Sequence, residues 1–520
     1  MKIDKKNTAF TAVFLVLMTL SAKVCGMFRD IALAGMYGTD TSEAIAFSAS
    51  SRIPLLFFDI ALGSAVTSAF IPVFNEYLER DGRDKAISFS HHFITLILAV
   101  TLVMTAVGAL FSDGLVRLIA GGLDGEKILL ASSLVKILFP TIIFTGLAYC
   151  FVGILQSFGE FYIPAIISLV SNGLLLVYLF VVGDRFGVHG VAVAMLVAWS
   201  GQFLVQLPAL RKMKYTYRPV LDFKNEGIVK VCKLALPIIV STWVQPINTM
   251  VNMRLASSME GGSAVTALDY ANKLYIILVG VFTFAITNLI FPSLSRAVAK
   301  GNDEEFSDIV RQAVRYVIFI ITPIMAGFLL LSEPIIRLFY ERGAFDTSST
   351  LLTSGALFCY SLGMLGYGIQ EICNKSFYAM HDGKTPMRVS MGGIAVNVTL
   401  SLVLVLGFGL GYRSLAVSAS VAANIIGFGM LAILHHKKRI IDKDTFLFAG
   451  KVLFSAVVMC VGVVVAKYMV TPFEGSKIIS LFVPVGVGAV CYLLCCMLLK
   501  VREITDILTL VKSKVKGGNS

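Results

Sequence analysis

Charge is scarce in this chain. Only 15% of its 520 residues are Asp, Glu, Lys or Arg, against about 25% in a soluble domain. Polar linkers are also missing, although a soluble chain of this length would split into several domains joined by them. Histidine is rare and scattered, at His91, His92, His189, His381, His435 and His436. The two adjacent pairs sit where helices end, so no acid or histidine cluster of the kind a membrane hydrolase needs near the headgroups is present. There is no glycine-rich phosphate loop, and ATP hydrolysis is not expected. The nine cysteines include no CxxC pair and no Cys/His set with zinc spacing. They read as small buried hydrophobes, and no metal or cofactor is expected.

What remains is apolar. The apolar share is 57% and the mean hydropathy is +0.83. Apolar runs recur about every thirty residues, and many reach the roughly 20 residues a spanning helix needs. In the first half these runs are 8–35, 44–74, 89–112, 128–157, 161–182 and 187–209. In the second they are 227–257, 265–295, 309–333, 350–379, 387–408 and 413–435, followed by 447–470 and 478–500. The expected class is an all-α polytopic membrane protein with about fourteen spans. The basic N-terminus resembles the start of a signal peptide. The run behind it holds Lys23, Arg29 and Asp30 without a small-residue cleavage site, so it reads as the first span.

The formal net charge of +12 would suggest nucleic acid on a soluble protein. Here the basic residues crowd into alternate loops. Met1–Asn7, Asn75–Lys85, Arg211–Lys230, Arg296–Arg311, Lys384–Arg388, Lys437–Lys443 and Lys500–Lys516 hold 26 Lys and Arg, and the opposite loops hold a handful. The positive-inside rule then places both termini in the cytoplasm, which requires an even number of spans. No nucleic-acid partner is expected.

The two halves repeat. Phe70-Ile-Pro-Val-Phe-Asn resembles Ile290-Phe-Pro-Ser-Leu-Ser, and Pro72 and Pro292 are 220 residues apart. Pro164 and Pro386, 222 apart, open the fifth span of each half. The expected division is 1–220 for a first six-helix lobe, 221–440 for a second, and 441–520 for a helix pair with a basic tail. Parallel repeats around a central site are a transporter architecture.

Several ionisable residues fall inside spans, where an ion costs a few kcal/mol. They include Lys23, Arg29 and Asp30 in the first span, and Arg52 and Asp59 in the second. The seventh holds Arg254, the eighth Asp269 and Lys273, and the tenth Glu371 and Lys375, spaced for a helical ion pair. Lys23 and Arg29 are not stacked on a regular helix, and a break near Gly26 would bring them closer. The plain reading of these cations is snorkelling, or neutralisation by Asp30 or Asp59. The sharper one is a cationic cavity that attracts an anionic, phosphorylated substrate.

Motifs add a family resemblance. Ala22-Lys-Val-Cys-Gly-Met-Phe-Arg-Asp resembles the first-helix pattern S-R-x-x-G-x-x-R-D of the MurJ (MviN) lipid II flippases. Arg52-Ile-Pro, Tyr270-Ala-Asn-Lys-Leu, Ile290-Phe-Pro-Ser-Leu-Ser-Arg and Leu338-Phe-Tyr-Glu-Arg-Gly-Ala-Phe are similar to further family segments, as are Gln370-Glu-Ile and Phe377-Tyr-Ala-Met-His-Asp-Gly-Lys-Thr-Pro. The resemblance covers about residues 8–435. It implies a MOP-superfamily fold in a bacterial inner membrane. It also implies alternating access through a cationic central cavity and translocation of lipid II, the undecaprenyl-pyrophosphate-linked disaccharide peptide. The partners implied are lipid II, membrane lipids and cell-wall synthesis proteins, with the pair 447–500 as a groove for the lipid tail.

The cations the family depends on carry over to Lys23, Arg29 and Lys273, with Asp30 as the paired acid. Arg52, Arg254 and Asn272 complete the expected substrate-binding set. Lysine replaces the family's arginine at 23 and 273, and Phe58 and Asp59 stand where the family has basic residues. The small stretch of the second helix reads Leu62-Gly-Ser-Ala. Some relatives bind sodium through acids in spans seven and eleven, where this chain has Asn252, Asn397 and Ser401. The alternatives are a flippase for another lipid-linked oligosaccharide, a cation-coupled exporter, for which membrane acids should dominate the cavity, and a non-transporting cell-wall scaffold.

Overall fold

The computed structural model describes residues 5–62, 66–220, 222, 225–471 and 476–504. Residues 1–4, Gly63 to Ala65 of the small stretch in the second span, and the basic tail beyond 504 lie outside the described residues. Every described element is helical. The chain forms two compact units, Met1–Thr266 with Arg342–Phe345, and Ala267–Glu341 with Asp346–Ser520.

The first unit begins with α1 (Lys5–Tyr37) and α2 (Ser42–Ala61). A π-helical turn over Val66–Phe70 leads into α3 (Ile71–Arg80), where Pro72 sits in the first turn, a position that needs no N–H. Then come α4 (Arg83–Leu110), α5 (Ser112–Ala120), α6 (Gly125–Leu138), α7 (Thr141–Ser157), α8 (Tyr162–Val181), α9 (Gly187–Leu204) and α10 (Leu207–Lys212). The helices α11 (Glu226–Thr242) and α12 (Val244–Ala256) close the unit. Within it α1 packs along α8, α2 on α6, α7 on α9, and α12 on α5.

The second unit holds most of α13 (Ser263–Ala299), then α14 (Asp303–Phe339), α15 (Thr347–Ser361), α16 (Met364–Ala379), α17 (Lys384–Leu402), α18 (Arg413–Lys438), α19 (Lys443–Val470) and α20 (Lys477–Leu498). Asn302, Asp346 and Asp442 cap α14, α15 and α19 by accepting from backbone N–H groups of the first turn. The pair α19–α20 packs on α14, where Tyr492 O–H donates to Phe319 O at 2.8 Å. Its outer face exposes Phe446, Phe454, Val461 and Tyr468, as a lipid-facing surface should.

Among the described residues each expected span falls on helix, but several are broken. The seventh breaks at Trp243, where Pro246 removes one donor from the helical ladder. The Trp243 indole N–H donates to Ile60 O at 2.7 Å and so occupies a carbonyl left open at the end of α2. The fourth breaks at Phe139-Pro140 and the tenth at Leu362-Gly363, where α15 and α16 bend by 49°. Those breaks lie 223 positions apart, close to the spacing of the proline landmarks. Ser420 donates to Cys359 O at 2.7 Å and Asn424 to Leu362 O at 2.9 Å, so α18 holds the carbonyls of the second bend.

Among the described residues eleven helices are long and apolar enough to cross a bilayer, or twelve with the bent pair as one span. The expected first and seventh spans, on α1 and on α11 with α12, are not in that count, which falls two short of the fourteen expected. α1 carries Lys23, Arg29 and Asp30, and the seventh is divided between α11 and α12, the latter carrying Gln245, Asn248, Asn252 and Arg254. The break considered near Gly26 is absent, because α1 is one helix across it.

Candidate functional site

In the first unit the charged residues of α1 meet α8. Arg29 donates from Nε and Nη2 to Asp30 Oδ1, at 3.1 and 2.8 Å, and from Nη1 to Asn172 Oδ1 at 2.8 Å. Asp30 is buried. An isolated carboxylate or guanidinium would be costly here, and pairing with added hydrogen bonds is the arrangement that offsets desolvation. Lys23 on α1 and Arg52 on α2 are half-buried, the latter two residues before Pro54, which α2 accommodates without ending.

Arg254 takes a different place. It is exposed near the end of α12, and a Cβ added at Gly121 would lie 3.2 Å from its Cζ. The guanidinium therefore lies across the turn between α5 and α6. The same turn is tied to the chain after α12, with Gly122 N–H donating to Ser257 Oγ at 3.1 Å and Lys127 Nζ to Gly261 O at 2.6 Å.

In the second unit Lys273 Nζ lies 2.9 Å from Asp269 Oδ2, one turn earlier on α13, and 5.8 Å from the centre of the Tyr270 ring. Asp269 is 7% and Lys273 32% exposed, so the acid is buried while the ammonium keeps access. Asn272 is half-buried beside it. Further along the unit, Tyr275 packs against Tyr360 and Tyr367, with ring centres 5.8 and 6.0 Å apart. Lys375 lies 5.5 Å from the centre of the Phe291 ring.

The plain reading of the cations offers snorkelling, or Asp30 or Asp59 as neutralising acids. The structure brings Arg29 to Asp30, leaves Asp59 exposed, and gives Lys273 to Asp269. Asn172 was missed. A neutral amide in an apolar run carries no charge signal, and only its place within a spanning helix marks it. Among the described residues no three His, Cys, Asp or Glu side chains converge as metal ligands. Asn252 donates to Asn248 Oδ1 at 3.0 Å, and Ser401 to Asn397 Oδ1 at 3.3 Å.

Long apolar helices with internally paired cations define an all-α polytopic membrane protein, and solved structures share that fold. One described as "Lipid II flippase MurJ, inward closed conformation" matches with a TM-score of 0.78 at 24% identity, covering 94% of this chain and 98% of that one. An inward-facing multidrug resistance MATE family transporter of the MOP superfamily matches with a TM-score of 0.68 at 17% identity, over 83% and 98%. The family model described as "Lipid II flippase MurJ" matches residues 34–484. A relative from Vibrio cholerae serotype O1 is 30% identical over 417 residues, 78% of this chain and 79% of its own length. One from Buchnera aphidicola subsp. Schizaphis graminum is 27% identical over 495 residues, 94% and 96%. Both are named "Probable lipid II flippase MurJ". This chain belongs to the MurJ family.

Proposed function

We propose that this chain carries lipid II from the cytoplasmic to the outer leaflet of the bacterial inner membrane, exposing its cationic side chains to the two leaflets in turn. The observation that carries the reading is the family match over residues 34–484. Lipid II has a pyrophosphate between its polyprenyl chain and its sugars. Arg29 suits such a group because a guanidinium binds phosphate oxygens in pairs, whereas Lys23 and Lys273 act as point charges. Arg52, Arg254 and Asn272 are assigned to the same headgroup.

Each leading cation already has an internal acid, Asp30 for Arg29 and Asp269 for Lys273. The pairs let the protein hold charge in the bilayer between transport events. When pyrophosphate arrives it competes with a carboxylate, so one anion replaces another and the net cost of exchange stays small. Release then follows as the carboxylate reclaims its cation. Nothing in this cycle needs ATP hydrolysis. Both termini are assigned to the cytoplasm on the loop charges, with two lobes over 1–220 and 221–440 and the pair 441–520 beside them.

The test is reconstitution. Purified protein in liposomes should move labelled lipid II between leaflets faster than protein-free liposomes, and Arg29→Gln should abolish the gain. Movement of another lipid-linked oligosaccharide without lipid II would overturn the substrate assignment. Full activity in Arg29→Gln would overturn the cationic mechanism.

A further inference from the structure

We infer that Asn172 on α8 is a positioning residue that sets where the Arg29 guanidinium points. The inference rests on the reading of Arg29 as a headgroup contact. Asp30 accepts from two nitrogens of Arg29, but it is the next residue on α1 and moves with it. Asn172 comes from another helix, and its Oδ1 accepts from Nη1 at 2.8 Å. It therefore supplies a direct hold on the fork from outside α1.

The orientation of Asn172 is itself determined. Its Nδ2 donates to Ala22 O at 3.3 Å, nearly two turns before Arg29 on α1. A guanidinium only donates and a backbone carbonyl only accepts, so turning the amide over would lose both bonds. Asn172 also lies against Gly26, where even an added Cβ would sit 3.5 Å from Nδ2, an ordinary contact.

The chemistry favours an amide over an acid at this position. A carboxylate would add a second anion to the Arg29–Asp30 pair and repel phosphate. It would also lose the donor to Ala22 O. The neutral amide orients the cation through Nη1 and adds no charge that would repel an arriving phosphate. Nη1 thus stays on Asn172 while phosphate takes the nitrogens that Asp30 gives up.

The test is a double-mutant cycle on lipid II binding by purified full-length protein in nanodiscs. Asn172→Leu should weaken binding about tenfold, or about 1.4 kcal/mol. In an Arg29→Met background, where no guanidinium is left to orient, the same change should cost less than twofold. Equal weakening in both backgrounds would mean that Asn172 acts only through helix packing, and unchanged binding in Asn172→Leu would mean that it does nothing; either result overturns the inference. Should Asn172→Leu fail to fold, Asn172→Ser carries the same comparison. Wild-type protein that binds lipid II no better than undecaprenol would instead overturn the functional reading.

Discussion

Replacing Asp269 by Asn should tighten lipid II binding and slow its transport. Asp269 Oδ2 lies 2.9 Å from Lys273 Nζ, in the favourable acid-before-base order on α13. An exposed pair of this kind contributes up to about 1 kcal/mol, and breaking a fully buried one costs about 3–5 kcal/mol. With the acid 7% and the ammonium 32% exposed, about 1.5 kcal/mol is the reasonable middle. Pyrophosphate must overcome that competition to engage Lys273. Asp269→Asn is close to isosteric and removes it, so affinity should rise about tenfold. Release should slow in proportion, and the transport rate should fall although binding improves. The assay is lipid II binding and interleaflet transfer measured on the same preparations of wild type, Asp269→Asn, Lys273→Met and the double variant. The double variant should bind like Lys273→Met alone. Weaker binding in Asp269→Asn, or a gain that persists without Lys273, would refute the competition between acid and substrate.

Other expectations concern stability. Trp243→Phe keeps an aromatic side chain but leaves Ile60 O without its donor, and should lower unfolding stability by about 1 kcal/mol; an unchanged melting temperature would deny that the indole N–H holds the end of α2. A Cβ at Gly427 would lie 2.1 Å from Gly366 O, whereas one at Gly429 would meet only a Val389 methyl at 3.6 Å. Gly427→Ala should therefore cost about 1–3 kcal/mol by overpacking α16 against α18, and Gly429→Ala should be tolerated, as thermal unfolding would show. In the turn between α16 and α17, hydrogen bonds from Lys437 and Thr385 hold the Asp382 carboxyl at about 2, below its ordinary 3.8. A depressed carboxyl stabilises the fold above its unfolded value and loses that contribution as pH falls through the folded one. Wild type should then lose more stability than Asp382→Asn between pH 4 and pH 2, and parallel curves would contradict the assignment.

Hydropathy made the helical, membrane-spanning class legible, because lipid contact acts directly on composition. The breaks were not legible, because a helix interrupted at Trp243 or at Phe139-Pro140 stays apolar through the break. Nor was α5, which is too short for a spanning signal. Within the candidate site, the charged residues announced themselves by the cost of burying them. Their partners divided. Asp269 sits four residues from Lys273, a spacing that could be read from the chain, whereas Asn172 reaches Arg29 across 143 positions. Side chains brought together by tertiary packing leave no local pattern, and a neutral amide leaves no charge either.

The central claim is that this chain moves lipid II. Its most direct measurement is made in bacterial cells depleted of their own lipid II flippase and supplied with this chain at a verified membrane level, with lipid II at the outer leaflet quantified. The account predicts that exposure is restored by the wild-type chain and not by Arg29→Gln. No restoration by well-expressed wild type, or equal restoration by both, would contradict it.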